Sequence, residues 1–156
     1  MQFSDRELST LRAALKKISF LEHLKINEID EIISSLDKRP FKKGETIIHQ
    51  GDPGETFFIM ASGSVGVFRK FLFTAKRIAG LGPESYFGEM ALIDNEQRNA
   101  TVIGEENGEL YYLPRETFKK VLLNNPGIAG LIRQTVEYRR AQNRVLDLGE
   151  AEGGKP

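Results

Sequence analysis

The sequence predicts an α+β protein, and three observations carry that prediction. Apolar residues recur at helical spacing in the N-terminal segment, residues 1–40. From Phe41 to Pro114, short β-rich runs alternate with clusters of Gly, Pro, Asn and Asp at the spacing of a β-sandwich, roll or barrel. After Pro114 the helical period returns. Helices gathered at the two ends of an antiparallel β unit define the α+β class. At 156 residues and 40% hydrophobic content, the chain is expected to form one domain with its own core.

Each element follows in order. Ser4 and Glu7 stand at capping-box spacing, and Leu8, Leu11, Leu15 and Ile18 then line one helical face. A second helix is expected after Asn27, with Ile29, Ile32, Ile33 and Leu36 on its apolar face and Pro40 at its end. The β unit, residues 41–114, contains the runs ETIIHQ, TFFIMA, SVGVFRKF, AKRIAG, NATVIG and ELYYLP. Ser62-Gly63-Ser64 and Glu106-Asn107-Gly108 are read as breaks between strands, the second as a hairpin turn, giving about eight short strands. Residues 115–148 are read as helical. Phe118, Val121 and Leu122 mark a short helix that stops near Asn125-Pro126, and Ile128, Leu131 and Ile132 open a longer one. The polar residues 149–156 are read as a disordered tail.

Composition excludes several function classes. Lysine plus arginine equals aspartate plus glutamate at 22 each, so no basic footprint for nucleic acid exists. There are no cysteines, which removes disulfides, zinc–thiolate sites and thiol nucleophiles. His23 and His49 are far apart and lack clustered acids, so no metal is expected. The charged N-terminus lacks the apolar core of a signal peptide, and no apolar run has the length of a membrane helix. A cytoplasmic protein without a membrane segment is expected.

The chemistry concentrates in FGEMALIDNEQRNATV, residues 87–102. Gly88 lets backbone approach a ligand without a Cβ in the way. Arg98 presents a planar fork of donors suited to phosphate. Glu89 can accept hydrogen bonds from sugar hydroxyls. One acid, one arginine and free backbone amides match a sugar phosphate. They do not match a catalytic pair, since the motif has no His, Cys or Ser to serve as a nucleophile or as its base. On chemistry alone, a surface ion pair between Glu89 and Arg98 is an equal reading.

This run resembles the phosphate-binding cassette of the cyclic nucleotide-binding domain family, found in catabolite activator proteins, cAMP-dependent kinase regulatory subunits and cyclic nucleotide-gated channels. GDPGETFFIMASGSVGVF resembles the family's glycine-bounded strand pair, and KRIAGLGPESYFGE the approach to the cassette. The resemblance implies an eight-stranded, jelly-roll-like antiparallel β-roll with N-terminal helices and a C-terminal lid helix. It implies cAMP or cGMP as ligand, with cAMP preferred. Glu89 would accept from the ribose 2′-hydroxyl beside the Gly88 backbone. Arg98 and the amides of Ala91 and Asn99 would hold the cyclic phosphate, with Ala100 packed beneath. Tyr138 or Arg139 on the lid would cover the base. Two positions depart from the family pattern: Glu84 replaces a usual glycine, and Asn99 is neither the alanine associated with cAMP nor the threonine associated with cGMP.

The implied function is a regulatory module, not an enzyme, switched by closure of the last helix. It would act on a separate effector protein or on an effector domain outside this chain. The alternative is a protein-interaction scaffold of the same fold with little nucleotide binding. Phe71-Leu72-Phe73, at an expected hairpin tip, is either a partner contact or a cluster tucked against the roll. Arg139, Arg140 and Arg144 are read as a solvated basic stripe.

Overall fold

The computed structural model describes residues 3–18, 21–93, 97–130, 132–134, 137–138 and 141. Two N-terminal helices, α1 (Asp5–Lys16) and α2 (Ile26–Ser34), precede the sheet. Ser4 and Glu7 form the expected capping box: the Glu7 amide donates to Ser4 Oγ at 3.1 Å, and the Ser4 amide to Glu7 Oε1 at 3.2 Å. Leu11, Leu15, Ile29, Ile32 and Ile33 are fully buried between the helices and one sheet face. A bidentate Arg12–Asp30 pair at 2.8 and 2.9 Å joins α1 to α2.

Helix α2 ends earlier than Pro40. That residue lies in strand β1 (Asp37–Phe41), so the sheet begins before the expected boundary at residue 41. Among the described residues strand β1 pairs only with β6, and an edge strand is where proline is tolerated.

Among the described residues the sheet is antiparallel and has six strands rather than eight. The others are β2 (Thr46–Ile48), β3 (Thr56–Phe71), β4 (Thr74–Leu81), β5 (Tyr86–Phe87) and β6 (Thr101–Pro114). The main order is β1-β6-β3-β4, with β2 on β6 and β5 on β3. The reduced count has one cause. Ser62-Gly63-Ser64 and Glu106-Asn107-Gly108 are not turns but facing irregularities inside β3 and β6. A Cβ on Gly108 would lie 2.0 Å from the Ser62 carbonyl oxygen, and one on Gly63 would lie 2.6 Å from that of Asn107. The glycines let two long strands cross at close approach without breaking.

Both faces of β3 are covered over residues 57–60. Phe57 and Ile59 join the helical core, while Phe58 and Met60 join a second cluster with Phe41, Val65 and Leu110. This two-sided burial explains why TFFIM is continuously apolar instead of alternating. After β6, α3 (Arg115–Leu123) buries Phe118, and the chain is helical again at 126–130 and 132–134, burying Ile128 and Ile132. Arg139, Arg140, Arg144, the other residues of the expected lid at 131, 135, 136, 142, 143 and 145–148, and the 149–156 tail lie outside the described residues.

Candidate functional site

The cassette is positioned from below by β3. Strand β5 pairs with Phe58 and Ile59, and Phe87 stacks on Phe58 at 5.1 Å. Gly88 then takes a left-handed conformation, φ 76° and ψ 21°, and opens a short 3-10 helix, Glu89–Leu92. Glycine is required there twice over. Its φ disfavours other residues, and a Cβ would lie 2.6 Å from Arg98 Nη1 and 3.1 Å from the Thr56 carbonyl oxygen.

Arg98 is fixed through backbone and side chain together. The Arg98 amide donates to the Asp52 carbonyl at 2.7 Å, and the Arg98 carbonyl accepts from the Gly51 amide at 2.8 Å. Its Nη2 donates to the Thr56 carbonyl at 2.5 Å. The guanidinium also lies against Gly54, where a Cβ would meet Cζ and Nε at 3.1 Å. The side chain is half-buried. Burial pushes its pKa down, and the nearby negative charge of Glu89 opposes that shift. Among the described residues no carboxylate lies within 4.0 Å of Arg98. The surface ion pair that chemistry alone allowed is therefore not formed.

The other expected site residues are placed as follows. Ala91 is buried, and its amide donates to the Gly88 carbonyl at 3.1 Å. Asn99 is exposed, and its carbonyl accepts from Arg69 Nε at 3.2 Å. Ala100 is buried. Tyr138 is exposed on a helical stretch. The structure thus brings Gly88, Glu89 and Arg98 together.

Three further residues belong to this constellation. Gly54 and Thr56 cradle Arg98, and Arg115 Nη1 reaches the carbonyls of Gly54 and Ala91, each at 3.4 Å. The second glycine of GDPGET was a usable signal for Gly54. Nothing local marks Thr56, which acts through its backbone, or Arg115, which acts across the fold. On another side, Arg98 borders a cleft of about 220 Å³ that also carries Asp52 and Glu55.

This arrangement, a half-buried arginine over two glycines with an acid beside it, lies inside a segment with a family match. Residues 38–125 match the family described as cyclic nucleotide-binding domain. The chain belongs to that family. The cyclic AMP receptor protein of Thermus thermophilus is 37% identical to this cyclic nucleotide-binding domain over 123 residues, which cover 78% of the chain and 57% of the receptor. A cGMP-dependent protein kinase of Plasmodium berghei is 36% identical over 116 residues, 74% of this chain but 13% of the kinase. The crystal structure of the Thermus thermophilus catabolite activator protein superimposes with a TM-score of 0.66 at 31% identity, covering 86% of this chain and 63% of that one. The domain thus spans little more than half of the bacterial receptor and a small part of the kinase. Among the described residues no three His, Asp or Glu side chains group to hold a metal ion. No helix among them is long and apolar enough to cross a membrane.

Proposed function

We propose that this domain is a non-catalytic sensor that binds a 3′,5′-cyclic nucleotide, cAMP in preference to cGMP. The observation that carries the proposal is Arg98, a half-buried cation with no carboxylate within 4.0 Å among the described residues. A desolvated guanidinium is costly until an anion pairs with it, and a cyclic phosphate supplies that anion. Glu89 accepts from the ribose 2′-hydroxyl, with Gly88 giving backbone access. The amides of Ala91 and Asn99 add donors. The Ala91 amide, now turned onto Gly88, would be shared with the phosphate. Ala100 supports the cassette by packing. The preference for cAMP rests on the absence of a threonine hydroxyl after Arg98.

The output is conformational. The nucleotide favours the state in which the last helix closes over the base, with Tyr138 and Arg139 as covering residues, and only differential affinity can shift that balance. The receiver is an effector protein or an effector domain outside this chain.

Calorimetric titration with cAMP and with cGMP tests the reading directly. Binding is expected for both, tighter for cAMP. Arg98→Ala is expected to cost about 2–4 kcal/mol of affinity through the lost charge-assisted bonds. No heat for either nucleotide at millimolar concentration would leave the scaffold reading in its place. Unchanged affinity in the variant would remove Arg98 from the phosphate.

A further inference from the structure

The hairpin joining β3 to β4 ends in side chains that the fold does not need. Leu72 is 88% exposed and Phe73 is 97% exposed, with Phe71 about half exposed, so the tip is not tucked against the roll. Leu72 also has φ 54° at the first position of a two-residue turn, the place where a II′-type hairpin calls for glycine. Turn stability and solubility would both select glycine or asparagine here. A leucine held against both preferences points to a use for apolar side chains at this place.

The charge around the tip narrows what that use is. Residues 56–83 contain four cations, Arg69, Lys70, Lys76 and Arg77, and no Asp or Glu, in a chain of zero formal net charge. All four sit on the rungs below the tip, with Arg69 opposite Lys76, Lys70 opposite Ala75 and Arg77 opposite Phe68. At strand spacing they lie within about 15 Å of Leu72 and Phe73. Glu105 holds Arg77 at 2.7 and 3.0 Å. Lys70 and Lys76 have no carboxylate partner among the described residues.

An apolar tip with a collar of uncompensated lysines is complementary to a lipid surface that carries anionic headgroups. Three side chains are too few for a stable protein interface, which buries about 1,200–2,000 Å². They suffice, together with the lysines, for a weak and reversible membrane attachment that depends on both signals. We propose that this hairpin docks the domain on an anionic bilayer, with Leu72 and Phe73 inserted at the headgroup boundary and Lys70 and Lys76 against the phosphates.

Co-sedimentation of the full chain with phosphatidylcholine vesicles, with and without about 30% phosphatidylserine, tests this proposal. Binding is expected to the anionic vesicles, and to be about tenfold or more weaker on neutral vesicles or in about 0.5 M salt. Leu72→Asn with Phe73→Ser is expected to weaken it about tenfold while leaving the melting temperature unchanged or higher, because asparagine suits the left-handed φ. Lys70→Ala with Lys76→Ala is expected to weaken binding to the anionic vesicles alone. Absence of vesicle binding, equal binding to both compositions, or full binding by the tip variant would overturn the proposal. So would a dimer in sedimentation equilibrium that the tip variant dissolves. That result would assign the tip to a second copy, seated in the hollow of about 620 Å³ that Phe68, Ala75 and Ile103 line.

Discussion

Glu89 and Arg98 are nine residues apart in sequence, yet they act on one small volume. Burial weakens the hold of Arg98 on its proton, and the carboxylate of Glu89 strengthens it without forming a close ion pair. That separation leaves both groups free to meet a ligand. Their proposed roles differ, and so do the consequences of losing them. Glu89→Gln keeps the shape and removes the charge. It is expected to weaken cAMP binding by about 1–2 kcal/mol and to affect 2′-deoxy-cAMP far less, because that analogue lacks the hydroxyl donor. Competitive titration of the two ligands reads the difference directly, and equal losses would take Glu89 off the ribose. The residue types at this site were legible in the sequence because the proposed phosphate and ribose would need a fork of donors and an acceptor. The half-burial of Arg98 was not legible. It depends on Gly54 and on the carbonyl of Thr56, a hydrogen bond spanning 42 residues.

The turn that feeds the cassette shows the same contrast between pattern and context. In Gly82-Pro83-Glu84-Ser85, the Ser85 amide donates to the Gly82 carbonyl at 3.1 Å, and Glu84 has φ 74°. Proline followed by a residue of positive φ is the type II arrangement, whose third position favours glycine. The departure from the family pattern at Glu84 therefore leaves the turn intact and strained. Glu84→Gly is expected to stabilise the protein by about 0.5–1 kcal/mol, the relief of left-handed strain less the added unfolded-state entropy. Urea denaturation measures this, and a loss of stability would show that the Glu84 side chain supports the turn. The long strands taught the opposite lesson. Asn107-Gly108 has the composition of a hairpin turn but lies within β6, because Gly63 of β3 faces it and the two backbones need the space. Local turn chemistry cannot distinguish a reversal from a close crossing, since both call for glycine.

Across the whole molecule, the N-terminal helix is tied to the sheet by a polar cluster as well as by its leucines. Tyr111 Oη, on β6, donates to Glu7 Oε2 at 2.5 Å, and Lys38 Nζ lies 3.3 Å from the same oxygen. The tyrosine hydrogen bond, followed by the Ser4 amide, holds the Glu7 carboxyl at about 2, well below its ordinary 4.5. The unfolded chain therefore binds the Glu7 proton first as pH falls. The stabilisation is complete above about pH 5 and is lost progressively toward pH 2, on the order of 1 kcal/mol after solvent screening of this partly exposed group. Tyr111→Phe is expected to destabilise at neutral pH by about that amount and to converge with the wild type near pH 2. Parallel thermal melts across that range would show otherwise if the gap stayed constant. The sequence by itself determined the fold class, the capping box of α1, the apolar faces of α1 and α2 and the residue types of the cassette, because each is written in a local period or in side-chain chemistry. Only the tertiary structure decided that eight expected strands are six, that Pro40 belongs to the sheet, that Arg98 lies half-buried over two glycines, and that Phe71-Leu72-Phe73 stands in solvent. Those outcomes depend on which distant backbones meet, and burial and strand register are properties of the packed chain rather than of any segment within it.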